Sequence, residues 1–225
     1  MRNLSRFLVL ALFVIVYSDG LKAQVPIPET YIESLKWRQV AAKAGNVVAQ
    51  YQLGKIFDLG LTAQTNKKQA AKWYSKAAAQ GHVQAQIRLA QMYYNGEGVE
   101  KNLKRSAELY GYAAVTGAPL AQFNYAAMLE VGAGIKKNIA KAAKFYKKAA
   151  NARILEAQVS MAMLYARGEG VNLDPNKAMI WLEIAIAGGA TVPKNVYESL
   201  RSNLAPSQWD KVKISAKEFI NRNLD

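Results

Sequence analysis

Small, apolar and turn-forming residues recur along this chain with a spacing of 36 residues. Six columns keep that step through four copies without a gap. One column contains only alanine: Ala49, Ala85, Ala121 and Ala157. Another contains only glycine: Gly60, Gly96, Gly132 and Gly168. A regular period of this length is the signature of stacked supersecondary units. The sequence therefore predicts four copies of one unit between about residues 47 and 188.

Each copy is predicted to contain two helices. In the second copy, four apolar residues share one helical face: Ala85, Leu89, Met92 and Tyr93. Gly96 and Gly98 then end this helix, since glycine tolerates the positive φ of a helix end. The second helix begins at a column whose short polar side chains can accept hydrogen bonds from the first turn: Asn66, Asn102, Asn138 and Asp174. A further glycine column ends the second helix, with Arg153 in place of glycine in the third copy.

The two ends of the array differ from its middle. Four residues before the first copy match the second half of a copy and predict a half-repeat: Trp37, Ala41, Ala42 and Gly45. After the fourth copy, apolar residues around Tyr197 and after Pro206 predict closing helices. Thr62 replaces the second turn glycine in the first copy, so that turn is expected to differ in shape. The predicted architecture is all-α, a solenoid over residues 24–190 with a C-terminal helical cap over residues 191–225.

Two stretches of the first copy carry a family pattern. Residues 49–60 have the form Ala-x-x-x-Leu-Gly-x-x-Phe-x-x-Gly, and residues 67–81 have the form Lys-x-x-Ala-x-x-Trp-Tyr-x-Lys-Ala-Ala-x-x-Gly. This pattern resembles the Sel-1-like repeat, and the resemblance extends over about residues 34–190. The segment 204–208 is similar to the closing helix of many bacterial members. The resemblance implies a tetratricopeptide-like, right-handed α-α superhelix of the exported bacterial type.

The same resemblance implies a non-enzymatic scaffold or adaptor for protein–protein interaction, in the bacterial envelope or secreted. Two alternatives stay open. Some exported members are immunity proteins that neutralise a phospholipase-type effector, and a few cysteine-rich secreted members are linked to β-lactam binding or hydrolysis. This chain contains no cysteine, so the disulfide-paired repeats of the cysteine-rich members are absent.

We find no catalytic arrangement in the sequence. His82 is the single histidine, whereas a metal site or a triad needs several converging groups. Glu97 and Glu169 occupy equivalent turns two copies apart, which corresponds to roughly 20 Å if stacked helix pairs advance by about one helix diameter. A glycosidase pair needs carboxylates about 5–9.5 Å apart. We predict no enzyme activity, no cofactor, no metal and no small-molecule substrate.

The N-terminus has the order of a secretory signal peptide. Two arginines precede an apolar run from Phe7 to Tyr17, and small residues follow. We predict removal of residues 1–23 by cleavage after Ala23, with cleavage after Gly20 as the alternative. The apolar run has 11 residues, against the roughly 20 of a spanning helix; an uncleaved anchor and a buried N-terminal helix are the other interpretations. The expected location is the periplasm, with secretion as an alternative.

The charge predicts the kind of partner. Lysine and arginine total 30 against 16 aspartate and glutamate, a net +14, which attracts anionic partners. One helical face is predicted to contact an anionic surface: Lys137, Lys141, Lys144 and Lys148. The alternative is a solvated face with no partner. The expected partner is a protein with an acidic patch or an anionic envelope surface. Nucleic acid is disfavoured because an exported chain rarely meets it.

The second candidate surface is a groove. By the resemblance, the first helices of the copies line the concave side of the solenoid. The side chains expected to contact a partner there follow in chain order: Tyr51, Lys55, Ile87, Gln91, Tyr94, Phe123 and Met163. Asp58 lies on the same stripe as Lys55. For Ile87 and Phe123 the alternative is packing between repeats, which leaves the tyrosines, Lys55 and Gln91 as the more open positions.

Overall fold

The computed structural model describes residues 31–61 and 64–222. Over this part of the chain there are eleven α-helices and no strand: α1 Tyr31–Lys43, α2 Val47–Leu59, α3 Lys67–Ala79, α4 Val83–Asn95, α5 Leu103–Val115, α6 Pro119–Val131, α7 Ile139–Asn151, α8 Leu155–Arg167, α9 Pro175–Ala187, α10 Lys194–Ser202 and α11 Pro206–Arg222. The predicted signal peptide and the turn at Thr62 lie outside the described residues.

Helices that follow one another in the chain pack together, which makes the molecule a solenoid of helix pairs. Copy 1 consists of α2 and α3, copy 2 of α4 and α5, copy 3 of α6 and α7, and copy 4 of α8 and α9. Each of these eight helices has 13 residues. Helix α1 packs on α2 in the place expected for the half-repeat, and α10 and α11 pack on α9. The all-α fold of 36-residue helix pairs is confirmed.

The helix starts are set by the polar column that the sequence analysis identified. The side chains of Asn66, Asn102, Asn138 and Asp174 each accept a hydrogen bond from the backbone N–H three residues later, at 2.8–3.0 Å. Each bond satisfies one of the free donors of a first turn. The second helices α3, α5, α7 and α9 therefore begin at equivalent positions in all four copies.

The turn glycines allow the copies to stack closely. A Cβ added at Gly98 would overlap the backbone of Lys67 at the start of α3, and a Cβ added at Gly134 would overlap Leu103 at the start of α5. The turn of one copy thus rests directly on the backbone of the copy before it. This contact explains why the second glycine of the turn recurs from copy 2 onwards.

Two further columns join successive copies. The side-chain amides of Gln50, Gln86, Gln122 and Gln158 are buried, and each donates to the carbonyl oxygen of the alanine eight residues earlier. These bonds tie the first helix of a copy to the end of the preceding second helix. Fully buried alanines lie beside them and let the helices approach closely: Ala77, Ala113, Ala149 and Ala185.

Arg153 adopts the backbone conformation of the glycines in its column. Its φ is +66°, whereas the equivalent Gly81 and Gly117 have φ of +85° and +97°. The left-handed region disfavours a residue with a Cβ, so the fold imposes this conformation on the position regardless of residue type.

Candidate functional site

We call the surface made by α2, α4, α6 and α8 the first-helix face, and the surface made by α3, α5, α7 and α9 the second-helix face. The two faces differ in charge. The first helices contain three basic and three acidic residues. The second helices contain eleven basic and two acidic residues, a net +9. The net positive charge of the solenoid helices therefore comes from the second helices, and the first helices are neutral in total.

The contact between copies 1 and 2 on the first-helix face, junction 1–2, is closed by an ion network. Asp58 is 4% exposed. Its carboxylate accepts hydrogen bonds from Arg88 Nε and Nη2 at 2.6 and 2.9 Å, from Lys67 Nζ at 2.6 Å and from the Tyr74 hydroxyl at 3.2 Å. The network joins α2, α3 and α4. Asp58 is thus a buried structural residue, and our expectation that it faces a groove was wrong.

Arg88 extends the network towards the surface. Its Nη2 also donates to Glu97 at 2.8 Å, and the Asn95 amide donates to Glu97 at 2.7 Å. Burial opposes ionisation of Asp58, but the hydrogen bonds from Arg88 and Lys67 outweigh it and lower the pKa of Asp58 to about 2. The carboxylate therefore stays charged over the physiological range and holds Arg88 across the junction.

Junction 2–3 uses the same three columns with different chemistry. Tyr94 stands where Asp58 stood, Tyr110 where Tyr74 stood, and Asn124 where Arg88 stood. Because asparagine is much shorter than arginine, no side chain spans the junction from this position. A recess of about 360 Å³ lies here, lined by Gln91, Tyr94, Asn95, Tyr110, Asn124, Ala127, Met128, Val131 and Ala133. We call it the junction 2–3 recess.

The recess combines exposed apolar surface with amide and hydroxyl groups. Val131 is 71% exposed and Tyr94 is 45% exposed at its edge, whereas Tyr110 is buried. Burial raises the pKa of the Tyr110 hydroxyl well above its usual value, so this group is neutral at physiological pH. None of the nine lining residues is charged. The recess is suited to an apolar side chain flanked by hydrogen-bonding groups.

Junction 3–4 shows a third arrangement of the same columns. The Tyr146 hydroxyl donates to Glu130 Oε2 at 2.7 Å, and Ser160 takes the place of Arg88. Burial, followed by the bond to Glu130, raises the pKa of Tyr146. A neutral tyrosine hydroxyl and a carboxylate thus meet where junction 1–2 has an ion pair.

The predicted groove residues divide into four groups. Gln91 and Tyr94 line the junction 2–3 recess. Ile87 is 5% exposed, so the alternative of packing between repeats holds for it and the expectation of an open contact residue was wrong. Phe123 and Met163 are half-buried and pack against the main core, and the Phe123 ring lies 5.8 Å from the Tyr146 ring.

The remaining two groove residues lie in copy 1. Tyr51 is half-buried and stacks on the His82 ring, with centroids 4.3 Å apart. Lys55 is exposed, and its ammonium lies 6.0 Å from the centre of the Tyr51 ring. Tyr51 therefore contributes to packing between α2 and α4, while Lys55 is open to solvent.

His82 has a structural role that the sequence analysis did not identify. Its Nδ1 accepts a hydrogen bond from the Ala85 N–H at 3.3 Å and so caps the start of α4. Burial lowers the pKa of His82, which favours the neutral ring that can act as an acceptor. The two glutamates considered for catalysis each have a basic partner: Glu97 pairs with Arg88 at 2.8 Å and Glu169 with Arg167 at 4.0 Å.

The four lysines predicted to contact an anionic surface are all exposed, but only three of them lie on a helix. Lys141, Lys144 and Lys148 lie on α7, whereas Lys137 precedes the capping residue Asn138 and belongs to the turn. The prediction of one continuous helical face was therefore wrong for Lys137. Lys141 Nζ donates to the Tyr125 hydroxyl at 3.2 Å.

The ion network was accessible to sequence reasoning only through the differences between copies. In the other copies, the columns of Asp58, Lys67 and Arg88 hold no charged residue except Glu130 in the Asp58 column. Three charged residues that each depart from the repeat pattern in their own column are a signal of mutual contact. Reading the columns for what they share conceals that signal.

Metal binding and membrane insertion each require particular features of the residues in the described ranges, 31–61 and 64–222. No three histidine or acidic side chains there are grouped so as to hold a metal ion. No helix in those ranges has both the length and the apolar character needed to cross a membrane.

Comparison with known proteins identifies the repeat. The Sel1 repeat model matches residues 47–82, 83–114, 119–153 and 155–189. The crystal structure of a Sel1 repeat protein from Oxalobacter formigenes is 29% identical with a TM-score of 0.63, and the match covers 71% of this chain and 68% of that one. None of the curated proteins matches the chain.

A second solved structure has the same fold. It is c5321, a protective antigen present in uropathogenic Escherichia coli strains that displays an SLR fold. It is 27% identical with a TM-score of 0.54; the match covers 86% of this chain but only half of c5321. The four matched segments cover more than half of the residues and coincide with the helix pairs of copies 1 to 4. The chain belongs to the Sel1 repeat family.

Proposed function

We propose that this protein is a non-enzymatic scaffold of the bacterial envelope that binds another protein through the junction 2–3 recess. Sel1 repeat proteins generally act as scaffolds for protein–protein interaction. The uncharged lining of the recess and its aromatic edge support this location for the binding site.

The observation that carries the proposal is the recess at junction 2–3, where the short Asn124 occupies the column that holds Arg88 at junction 1–2. Its volume of about 360 Å³ falls within the range of about 300–1,000 Å³ found for ligand pockets. Tyrosine is enriched among the residues that dominate binding energy at interfaces, and Tyr94 stands at the edge. The partner is expected to insert one apolar side chain and to hydrogen-bond with Gln91 and Asn124.

The lining also bears on the enzymatic alternative. Hydrolysis needs a nucleophile or an activated water together with an acid or base. The recess is lined by amides, tyrosines, aliphatic side chains and a methionine. This composition favours binding over β-lactam hydrolysis at the site.

The recess can be filled by copying the chemistry of junction 1–2 into junction 2–3. The double variant Tyr94→Asp/Asn124→Arg places the Asp58–Arg88 pair at the equivalent positions, so the guanidinium should cross the recess. Ser160→Arg is the matched control, because it pairs an arginine with Glu130 at junction 3–4 and leaves the recess untouched. Thermal unfolding should show both variants folded.

The measurement is affinity capture from an envelope extract with wild-type protein, the double variant and the control, followed by mass spectrometry. A protein retained by the wild type and by Ser160→Arg, but lost from the double variant, supports the proposal. If the same proteins remain bound to the double variant, the recess is not the binding site.

The envelope location depends on the N-terminal segment and has its own test. N-terminal sequencing of the protein recovered from the envelope fraction should find a chain that begins near residue 21 or 24, because cleavage is expected after Gly20 or Ala23. Recovery of the intact chain from Met1 in the cytoplasm would contradict the envelope location and leave the recess proposal standing.

A further inference from the structure

A second recess lies on the opposite side of copies 2 and 3. It runs between α5 and α7 on the second-helix face and has a volume of about 430 Å³. Its apolar lining consists mainly of Tyr112, Val115, Tyr125, Ile135 and Phe145, and Lys104 and Lys141 belong to the same lining. We call it the α5–α7 groove.

In the α5–α7 groove, a residue smaller than its counterparts in the other copies lies opposite a residue larger than its counterparts. Gly111 lies in the middle of α5, where the other copies have Ser75, Lys147 and Glu183. Tyr125 lies opposite, in a column that otherwise contains Leu53, Leu89 and Met161. A Cβ added at Gly111 would come within 3.2 Å of the Tyr125 ring. A glycine inside a helix costs about 1 kcal/mol relative to alanine, and here it makes room for the tyrosine.

The tyrosine in turn fixes a lysine. Lys141 Nζ donates to the Tyr125 hydroxyl at 3.2 Å, and the Phe145 ring meets the Tyr125 ring edge-on with centroids 5.0 Å apart. An ammonium group has three donors, and this bond uses one of them. A lysine held in one place loses less side-chain entropy on binding an anion than a freely rotating lysine.

The charge around the groove is positive. Lys144 and Lys148 continue along α7 from Lys141, and α7 contains four lysines and no acidic residue. Glu108 is the acidic residue of the lining, and it is paired with Arg105 at 3.1 Å. Apolar surface remains open inside this positive rim, since Tyr112 is 64% exposed and Val115 is 80% exposed.

We infer that the α5–α7 groove binds an acidic protein segment, with a carboxylate on Lys104 or Lys141 and an apolar side chain against Tyr112 and Val115. The charge complementarity selects an acidic occupant. A protein segment fits better than a bilayer, because a membrane-binding surface presents an extended apolar face, whereas this apolar surface is confined between two helices. This site is independent of the junction 2–3 recess.

The probe is a library of random 15-residue peptides displayed on phage and selected on the full chain. We expect the selected peptides to combine aspartate or glutamate with at least one aromatic or aliphatic residue. Their affinity is then measured by fluorescence anisotropy against the wild type and the variants. Selected peptides without an excess of acidic residues would overturn the inference.

Two variants separate a defined site from diffuse attraction. Lys104→Glu/Lys141→Glu should raise the Kd about tenfold or more, since it reverses both positive charges that line the groove. Lys68→Glu/Lys72→Glu makes the same change of charge on α3 and should raise the Kd less than about threefold at physiological salt, where screening acts beyond about 8 Å. Equal losses in both variants would overturn the inference.

The apolar half of the site has its own variant. Tyr112→Ser/Val115→Ser removes exposed side chains without changing charge, so the fold should be retained and the Kd should rise about fivefold or more through loss of apolar contact. Peptides that bind this variant as tightly as the wild type would show that charge alone drives binding, which contradicts a groove.

Two further experiments distinguish the α5–α7 groove from a membrane-binding surface and from the junction 2–3 recess. If the chain sediments with phosphatidylglycerol vesicles through Lys104 and Lys141 and selects no peptide, the face binds lipid and the inference is wrong. Tyr94→Asp/Asn124→Arg should bind the selected peptides with unchanged affinity. Loss of peptide binding in that variant would place the peptides in the junction 2–3 recess and overturn the assignment to the α5–α7 groove.

Discussion

Junctions 1–2 and 2–3 share a backbone design and differ in what their side chains do. In junction 1–2, Arg88 from α4 reaches the buried Asp58 of α2 and closes the surface. In junction 2–3, Tyr94 and Asn124 occupy the same columns and border a recess. The alanine, glutamine and glycine columns that join the copies are present at both junctions. The difference shows that the columns needed for stacking and the columns that determine the binding surface are separate in this solenoid.

A buried ion pair contributes little to the net free energy of unfolding, but it fixes how the two sides of a junction meet. Burying two charges has a desolvation cost that offsets most of their attraction, whereas removing one partner leaves the other charge unpaired. Junction 1–2 is therefore expected to be sensitive to single substitutions. The junction 2–3 recess contains no charged lining residue and should tolerate change at its edge.

The largest expected effect is that of Asp58→Ala. The free energy of unfolding should fall by about 3 kcal/mol, the lower end of the range for one partner of a buried pair, because Arg88 is partly exposed and keeps Glu97. Glu130→Ala, at the same column of junction 3–4, is the control and should cost about 1–2 kcal/mol through one hydrogen bond. Urea unfolding measures both. Equal losses would mean that the ion network adds nothing to the difference between the junctions.

The contribution of Asp58 to stability should also depend on pH. This effect should be somewhat smaller than that of Asp58→Ala. The folded pKa of Asp58 is about 2, below its ordinary value of about 3.9. Its stabilising contribution, about 2–3 kcal/mol, is therefore present above about pH 4 and is lost as the pH falls towards 2. The stability difference between wild type and Asp58→Asn should shrink across that interval. A difference that stays constant from about pH 6 to pH 2 would contradict the depressed pKa.

The smallest effect concerns the helix starts at the two junctions. His82 caps α4 with its side chain, whereas Ala118 at the start of α6 makes no side-chain cap hydrogen bond. His82→Ala should cost about 0.5–1 kcal/mol more than His82→Asn, which keeps an acceptor, and Ala118→Asn should gain a similar amount. Thermal unfolding near pH 8 measures these differences.

The sign of the pH effect on His82 provides the check on that interpretation. The folded pKa of His82 is lowered by burial, so its contribution is present above the ordinary pKa of about 6.5 and is lost as the pH falls through the lower folded pKa. The cost of His82→Ala relative to the wild type should therefore decrease towards about pH 5, whereas the difference between His82→Ala and His82→Asn should stay constant because neither variant contains the imidazole. A cost that grows at acidic pH would show that the charged ring is the stabilising form.

The period of 36 residues, the two helices of each copy and the helix starts at Asn66, Asn102, Asn138 and Asp174 were all determined by the sequence alone. These features depend on local physics: a short polar side chain caps its own helix three residues on, and an apolar stripe has the helical spacing. The segregation of positive charge onto the second helices is local in the same sense, since it follows from which residues each helix contains.

Only the tertiary structure decided which of these residues meet. Asp58 and Arg88 are thirty residues apart in the chain, and their contact depends on how far one helix pair is displaced from the next. That displacement also places Ile87 in the core, opens the recess beside Tyr94 and brings Tyr125 against Gly111. A helical stripe tells which side chains share a face, but the neighbouring repeat decides whether that face is covered, because burial is a property of the stack and not of the single helix.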